Sequence, residues 1–227
     1  MMNNRLTKTF LVLALLILGS CTTVQSTTVE SQDDSKLISE KSTDELIQIL
    51  ERAENVDDPA FNLFLDVTTE LEQRGPSASE AAPVLARAIA YKRRDSRAAG
   101  RALIPMGPAA KNAIPILLEN LNNEREEVRR YSIFNLGYIG EPAECTIPTL
   151  GGLLWDADPS VRSAAAIAID AITGVDLVWE YEKIDPELYG SVNSDDPEGS
   201  VTAKARAWWQ ETGKNMKWSA ENCVPVP

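Results

Sequence analysis

Between Gly107 and Gly140 the chain reads GPAAKNAIPILLENLNNEREEVRRYSIFNLGYIG. Pro115 opens an apolar stretch of Ile116, Leu117, Leu118 and Leu121, and the polar turn Asn122-Asn123-Glu124 follows. A second stretch starts near Val128-Arg129 and runs to Gly140. Proline is tolerated in the first helical turn, where its missing N–H would have no intrahelical partner. Glycine stops a helix by adopting a conformation that other residues resist. The passage therefore predicts a helical hairpin. The same marks recur on either side: Gly75, Gly107, Gly140 and Gly174 are spaced 32, 33 and 34 apart, Pro83, Pro115 and Pro148 are spaced 32 and 33, and so are Arg97, Arg129 and Arg162. A period in the low thirties implies stacked supersecondary units that share one core. The expected fold class is all-α, a short solenoid of about four hairpins.

The first hairpin is the most divergent. Leu46, Ile47, Ile49 and Leu50 follow Ser42 and Thr43, either of which can cap, with Asp44 and Glu45 where the helix dipole favours acids. The run Asn55-Val56-Asp57-Asp58-Pro59 breaks this helix, and a second one with Phe61, Phe64, Leu65, Thr68 and Leu71 ends near Gly75. The other leading helices carry Val84, Leu85 and Ile89, and Leu150, Leu153 and Leu154. Their trailing partners start near Ser96-Arg97 and Val161-Arg162 and run to Gly107 and Gly174. Alanines on the trailing helices, among them Ala98, Ala99, Ala102, Ala164, Ala165, Ala166 and Ala168, permit close helix approach. Beyond Gly174 the beat stops. Val201 to Gln210 reads as a helix with Ala205, Trp208 and Trp209, a candidate cap for an exposed solenoid end.

Val128-Arg129, Val161-Arg162, the pairs Ile114-Pro115 and Ile147-Pro148, and Leu136-Gly137-Tyr138-Ile139-Gly140 resemble HEAT repeats, in the short form also found in phycobilisome lyases. The resemblance covers about 75–174 well and 42–74 weakly. It implies a HEAT-like α-solenoid with a Trp-rich C-terminal cap, trailing helices along a concave face, and an arginine that ties adjacent repeats through turn carboxylates. Asp158, four residues before Arg162, is spaced for such a pair. Ser96 stands where the repeat pattern has valine, which leaves the register of that repeat open.

The N-terminus carries Arg5 and Lys8, an apolar run from Phe10 to Leu18, and then Gly19-Ser20-Cys21. This is the layout of a secretory signal, with an apolar run too short to span a bilayer. Leu18-Gly19-Ser20-Cys21 resembles the lipobox of bacterial lipoproteins, which implies lipidation of Cys21 and, with Thr22 following, the outer membrane of a double-membrane organism. The expected organisation is a signal peptide at 1–20, a disordered tether at 21–41, repeats at 42–174 and a capping segment at 175–227. A polar tether of this length would reach on the order of 25 Å. Loss of 1–20 removes two of the 22 basic residues and none of the 34 acidic ones, taking the net charge from −12 to −14. Such a surface repels phosphate backbones, so nucleic acid is not an expected partner. Two cysteines remain. Cys145 lies three residues before Pro148, where the other repeats have the polar Asn112 and Glu80. Either it pairs with Cys223, stapling the tail to the last repeat, or both are free thiols.

The chain contains no histidine. That removes Ser-His-Asp and Cys-His catalysis and the commonest metal ligand, and no phosphate-cradling glycine motif is present. No cofactor, no metal site and no enzymatic activity are expected. Asp195, Asp196 and Glu198 read as a solvated loop. Tyr131, Phe134 and Tyr138 are spaced i, i+3, i+7 along one stripe, and Ile167 is the counterpart of Phe134 one repeat on. The stripe either packs between repeats or anchors a partner protein. The leading expectation is a lipid-anchored, cell-envelope interaction module whose acidity favours basic or mixed-charge partners. The alternatives are a bilin-lyase-like or other enzyme on the same scaffold, and a structural envelope spacer.

Overall fold

The computed structural model describes residues 37–92, 95–177 and 200–223. The chain divides into two units, Met1–Lys41 and Ser42–Pro227. Of the first, the described residues make one helical turn at 37–39. Cys21, the lipobox, nearly all of the tether, the loop with Asp195, Asp196 and Glu198, and the aromatic residues Trp179, Tyr181 and Tyr189 lie outside the described residues.

In the second unit the described residues form nine α-helices and no strand. Four hairpins follow in order: α1 (Thr43–Arg52) with α2 (Ala60–Arg74), α3 (Ala82–Ile89) with α4 (Ser96–Leu103), α5 (Ile114–Asn120) with α6 (Glu126–Ile139), and α7 (Ile147–Leu153) with α8 (Pro159–Thr173). A last helix, α9 (Val201–Glu211), packs on α8. Trailing helices α2, α4, α6 and α8 stack on one another in turn, and α1, α3 and α5 do the same on the leading side. This is a short α-solenoid, and its first hairpin is a full member of the stack.

Local chemistry explains the helix starts. Ser42 Oγ accepts from the Glu45 N–H at 3.3 Å, while the Glu45 carboxylate accepts from the Ser42 N–H at 2.8 Å. This reciprocal box satisfies two donors that the helix itself leaves open. Pro83, Pro115 and Pro148 each occupy the second position of their leading helix. Leu46, Ile49 and Leu50 on α1 and Phe64, Val67, Thr68 and Leu71 on α2 form the buried faces. Leu65, placed on the apolar pattern from sequence, is 56% exposed instead. It falls a turn-fraction away from the inward stripe of Phe64, Val67 and Leu71.

Two features differ from the sequence reading. Short 3-10 segments, Gly75–Ala81, Ile104–Ala113 and Glu141–Thr146, connect each trailing helix to the next leading one. Their inward residues recur every third position: Ala78 and Ala81, Ala110 and Ala113, Ala143 and Thr146, all buried. Three-residue spacing is the repeat of a 3-10 turn, so small residues at that interval let adjacent segments touch. Second, α4 ends at Leu103, not at Gly107. Pro105 has no N–H to continue the ladder, and the chain tightens to 3-10 geometry there.

The four periodic glycines all have positive φ: 54° at Gly75, 52° at Gly107, 74° at Gly140 and 68° at Gly174. At Gly140 the requirement is purely conformational. Its ψ is −141°, and an added Cβ would meet nothing within 4 Å. Gly140→Ala is therefore expected to lower unfolding free energy by about 1–3 kcal/mol without any clash. Chemical denaturation of both proteins checks this, and equal midpoints would show that this turn does not constrain the fold.

Candidate functional site

Successive trailing helices meet through small residues. A Cβ on Gly100 of α4 would sit 3.3 Å from Tyr131 Cβ and from Asn135 Nδ2 of α6, and one on Gly137 would sit 3.3 Å from Ala168 Cα of α8. Where α4 and α6 approach, their outer edges leave a groove of about 330 Å³. Tyr131, Phe134 and Tyr138 from α6 line one side. Arg97 and Arg101 from α4, with Ile104 just beyond it, line the other, and Arg130 completes it.

The structure thus brings three of the four sequence-chosen docking residues to one groove and leaves the fourth out. Ile167 is half-buried on α8 and is not part of the lining. Phe134 is more covered than a free anchor would be, at 9% exposure, and forms part of the groove wall. Tyr138 is the open aromatic, 40% exposed. Partial burial pushes its hydroxyl pKa above the ordinary value, so it stays a protonated O–H at neutral pH. At the floor Asn135 is buried, with Nδ2 donating to the Tyr131 carbonyl at 2.8 Å and Oδ1 lacking a hydrogen-bond partner.

The arginines were not foreseen as groove residues. Arg130 lies 5.0 Å from the Tyr131 ring centroid, a cation–π stack. Arg101 reaches Glu72 of α2 at 3.1 Å, in a pair that is largely solvent-exposed. The sequence signal was available: Arg97 and Arg101 are one turn apart on a helix, and Arg130 adjoins the aromatic stripe.

The periodic arginines do different work along the stack. Arg129 holds both carboxylate oxygens of Asp156 at 3.0 and 2.8 Å and donates to the Asn123 and Glu124 carbonyls at 2.8 and 3.1 Å. It ties its own turn to the turn of the next repeat, with little exposure on either side chain. Arg162 donates to the Asp156 and Ala157 carbonyls at 3.0 and 3.1 Å and is buried. Arg97 instead lines both the groove and the cleft between α2 and α4, where Glu72 and Asp95 also lie. Asp158, read from sequence as a partner for Arg162, caps α8: its carboxylate accepts from the Ser160 and Val161 N–H groups at 2.8 and 3.2 Å and from the Ser160 hydroxyl. Ser96, the departure from the repeat pattern, is buried and its hydroxyl donates to the Ile89 carbonyl at 2.6 Å. A hydrogen bond between leading and trailing helices thus replaces valine packing, and the register holds.

The far end is closed by tryptophan. The Trp209 ring lies directly against Gly151 of α7, where any side chain would collide with it. Trp208 and Trp218 pack beside it, with Trp208 centroids 6.2 and 6.3 Å from Trp209 and Trp218. Arg206 donates to the Leu154 carbonyl at 2.8 Å, the C-cap of α7. The tail is fixed twice: Asn222 Nδ2 donates to the Pro142 carbonyl at 3.1 Å, and Cys223 is joined to Cys145 by a disulfide with Cα atoms 5.9 Å apart. Glu80 and Asn112, the counterparts of Cys145, are exposed. Closing a loop across 78 positions restricts the unfolded chain by on the order of 4 kcal/mol.

Asp158 gives a pH test of the turn architecture. Burial, the largest single influence, raises its pKa. Hydrogen bonds from the Ser160 side chain and from the Val161 and Ser160 N–H groups, with nearby Arg129, outweigh burial and hold the pKa below the ordinary 3.8. A carboxylate with a depressed folded-state pKa stabilises fully above its unfolded pKa and loses that effect as pH falls through the folded value. Asp158→Ala should cost about 1 kcal/mol at pH 7, and the gap from wild type should narrow below pH 3.8. Urea denaturation across pH 2.5–7 checks this prediction, and a gap that widens on acidification would contradict it.

Among known families, the model of HEAT repeats matches residues 114–198, which takes in the last two hairpins and part of the segment beyond Gly174. No curated protein and no solved structure is found to match the chain. Residues 42–113, outside the match, form hairpins of the same construction and belong to the same stack. Over residues 114–198 the chain is thus similar to HEAT repeats, and its helical stack is a short HEAT-like α-solenoid.

Proposed function

We propose that this protein is a lipid-anchored interaction module of a bacterial cell envelope, which holds a HEAT-like surface near a membrane and docks another protein on its trailing-helix face. HEAT repeats favour an interaction scaffold over an enzyme, and the absence of histidine from the whole sequence points the same way. The observation that carries the docking face is the groove itself: one half-exposed tyrosine, two further aromatic residues and three arginines gathered between α4 and α6. Aromatic and arginine side chains are the types that dominate binding energy at interfaces. The anchor reading rests on the signal-like N-terminus and Cys21, and the Cys145–Cys223 pair suits an exported, oxidising setting. The lyase-like alternative rests on family resemblance alone.

Two measurements test this reading. Cys21→Ser should move the protein from the membrane to the soluble fraction, and unchanged retention would remove the anchor. A photo-crosslinking residue at Tyr138 should yield a discrete protein adduct in intact cells, and one at Arg87, on α3 away from the groove, should not. Identical adducts from both positions would remove the groove as the docking face.

A further inference from the structure

The chain as a whole is strongly acidic, yet its candidate docking groove is lined by three guanidinium groups. We infer that the occupant is an extended acidic peptide segment of the partner, with its carboxylates on Arg97, Arg101 and Arg130 and an apolar or aromatic side chain against Phe134 and Tyr138. The inference rests on the docking reading above and specifies its chemistry. It also replaces, at this site, the basic partner that net charge alone suggests.

Three observations support it. Arginine presents a planar fork that matches a carboxylate with two parallel hydrogen bonds, and two of these forks lie one turn apart on α4 with the third across the groove. The partner of Arg101 in the free protein is Glu72, an exposed pair of the kind that contributes little and is readily exchanged for a ligand carboxylate. Beside the arginines, Phe134 and the half-exposed Tyr138 supply an apolar and aromatic wall. A peptide offers carboxylate acceptors for the arginines and an apolar or aromatic side chain for this wall. An inorganic anion or a lipid phosphate offers acceptors alone.

The surroundings select against larger polyanions. At physiological ionic strength the field of the three arginines extends about 8 Å, so a ligand confined to the groove feels it while a bilayer or a nucleic acid also meets the acidic remainder of the surface. A volume of about 330 Å³ holds only a few side chains of an extended segment.

The test uses the full chain with its disulfide intact and a displayed library of random twelve-residue peptides as probe. Enriched peptides should carry two or more carboxylates flanking an apolar or aromatic residue. Their affinity should fall at least tenfold for the double variant Arg101→Gln and Arg130→Gln, at least tenfold for Tyr138→Asp, and less than twofold for Arg87→Gln. Circular dichroism of each variant should match wild type, which separates lost binding from lost folding. Basic or uncharged peptides that depend on Tyr138 but not on the arginines would overturn the acidic occupant while leaving the docking face in place. Peptides indifferent to Tyr138 and to the arginines, or no enrichment at all, would overturn both. Capture of wild type by phosphatidylglycerol vesicles, lost in the arginine double variant, would replace the peptide by a membrane headgroup and also overturn the proposal.

Discussion

A two-helix hairpin of this size cannot enclose its own apolar side chains, and that constraint organises the molecule. Leu85 and Ile89, Leu117, Ile133 and Leu136, and Leu150 and Ile169 are all completely buried, yet they belong to three different hairpins. Each is covered because the neighbouring hairpin lies against it. Stability in such a stack is the sum of weak units and the interfaces between them. The devices that fix hairpin spacing therefore matter more than any single helix: the positive-φ glycines that turn the chain, the buried alanines of the 3-10 segments, and the bidentate Arg129–Asp156 pair between adjacent turns.

The same constraint explains the ends. Among the described residues no further hairpin follows the fourth, and its outward face takes another cover. Tryptophan serves because each ring removes a large apolar area from water at the cost of few ordered bonds. Gly151 accepts Trp209 at contact distance because it has no side chain, and the disulfide keeps the tail from leaving. The start of the stack has no comparable aromatic cover among the described residues. α1 is held by its capping box, by its buried face and by the buried Tyr91, whose hydroxyl donates to the Leu50 carbonyl at 3.4 Å.

Much of this was legible in the sequence, for identifiable reasons. Proline and glycine at a fixed interval mark where helices begin and end because backbone chemistry leaves them few other places, and so the hairpins could be counted and placed. The cap helix was legible from Ala205, Trp208 and Trp209, whereas its Ser200 N-cap emerges only in the structure. The 3-10 segments were missed because alanine every third residue is a weak signal beside the stronger apolar runs. Side-chain partners were less legible. Asp158 is four residues from Arg162 and caps its helix instead, since the N–H groups of Ser160 and Val161 are nearer and fixed by the turn. The aromatic stripe at Tyr131, Phe134 and Tyr138 was found by helical periodicity. Of the arginines opposite it, the sequence places Arg97 in a structural ladder and gives Arg101 no role, because periodicity along one helix says nothing of what the adjacent helix contributes.

The central claim is that the hairpins share one core and hold each other in place. Leu136 is fully buried on α6, which stacks against both α4 and α8. Hydrogen exchange by mass spectrometry on wild type and Leu136→Ala tests the claim most directly. Shared packing predicts faster exchange in α4 and α8 as well as in α5 and α6. Acceleration confined to α5 and α6 would show that the hairpins stand alone, and would contradict the account.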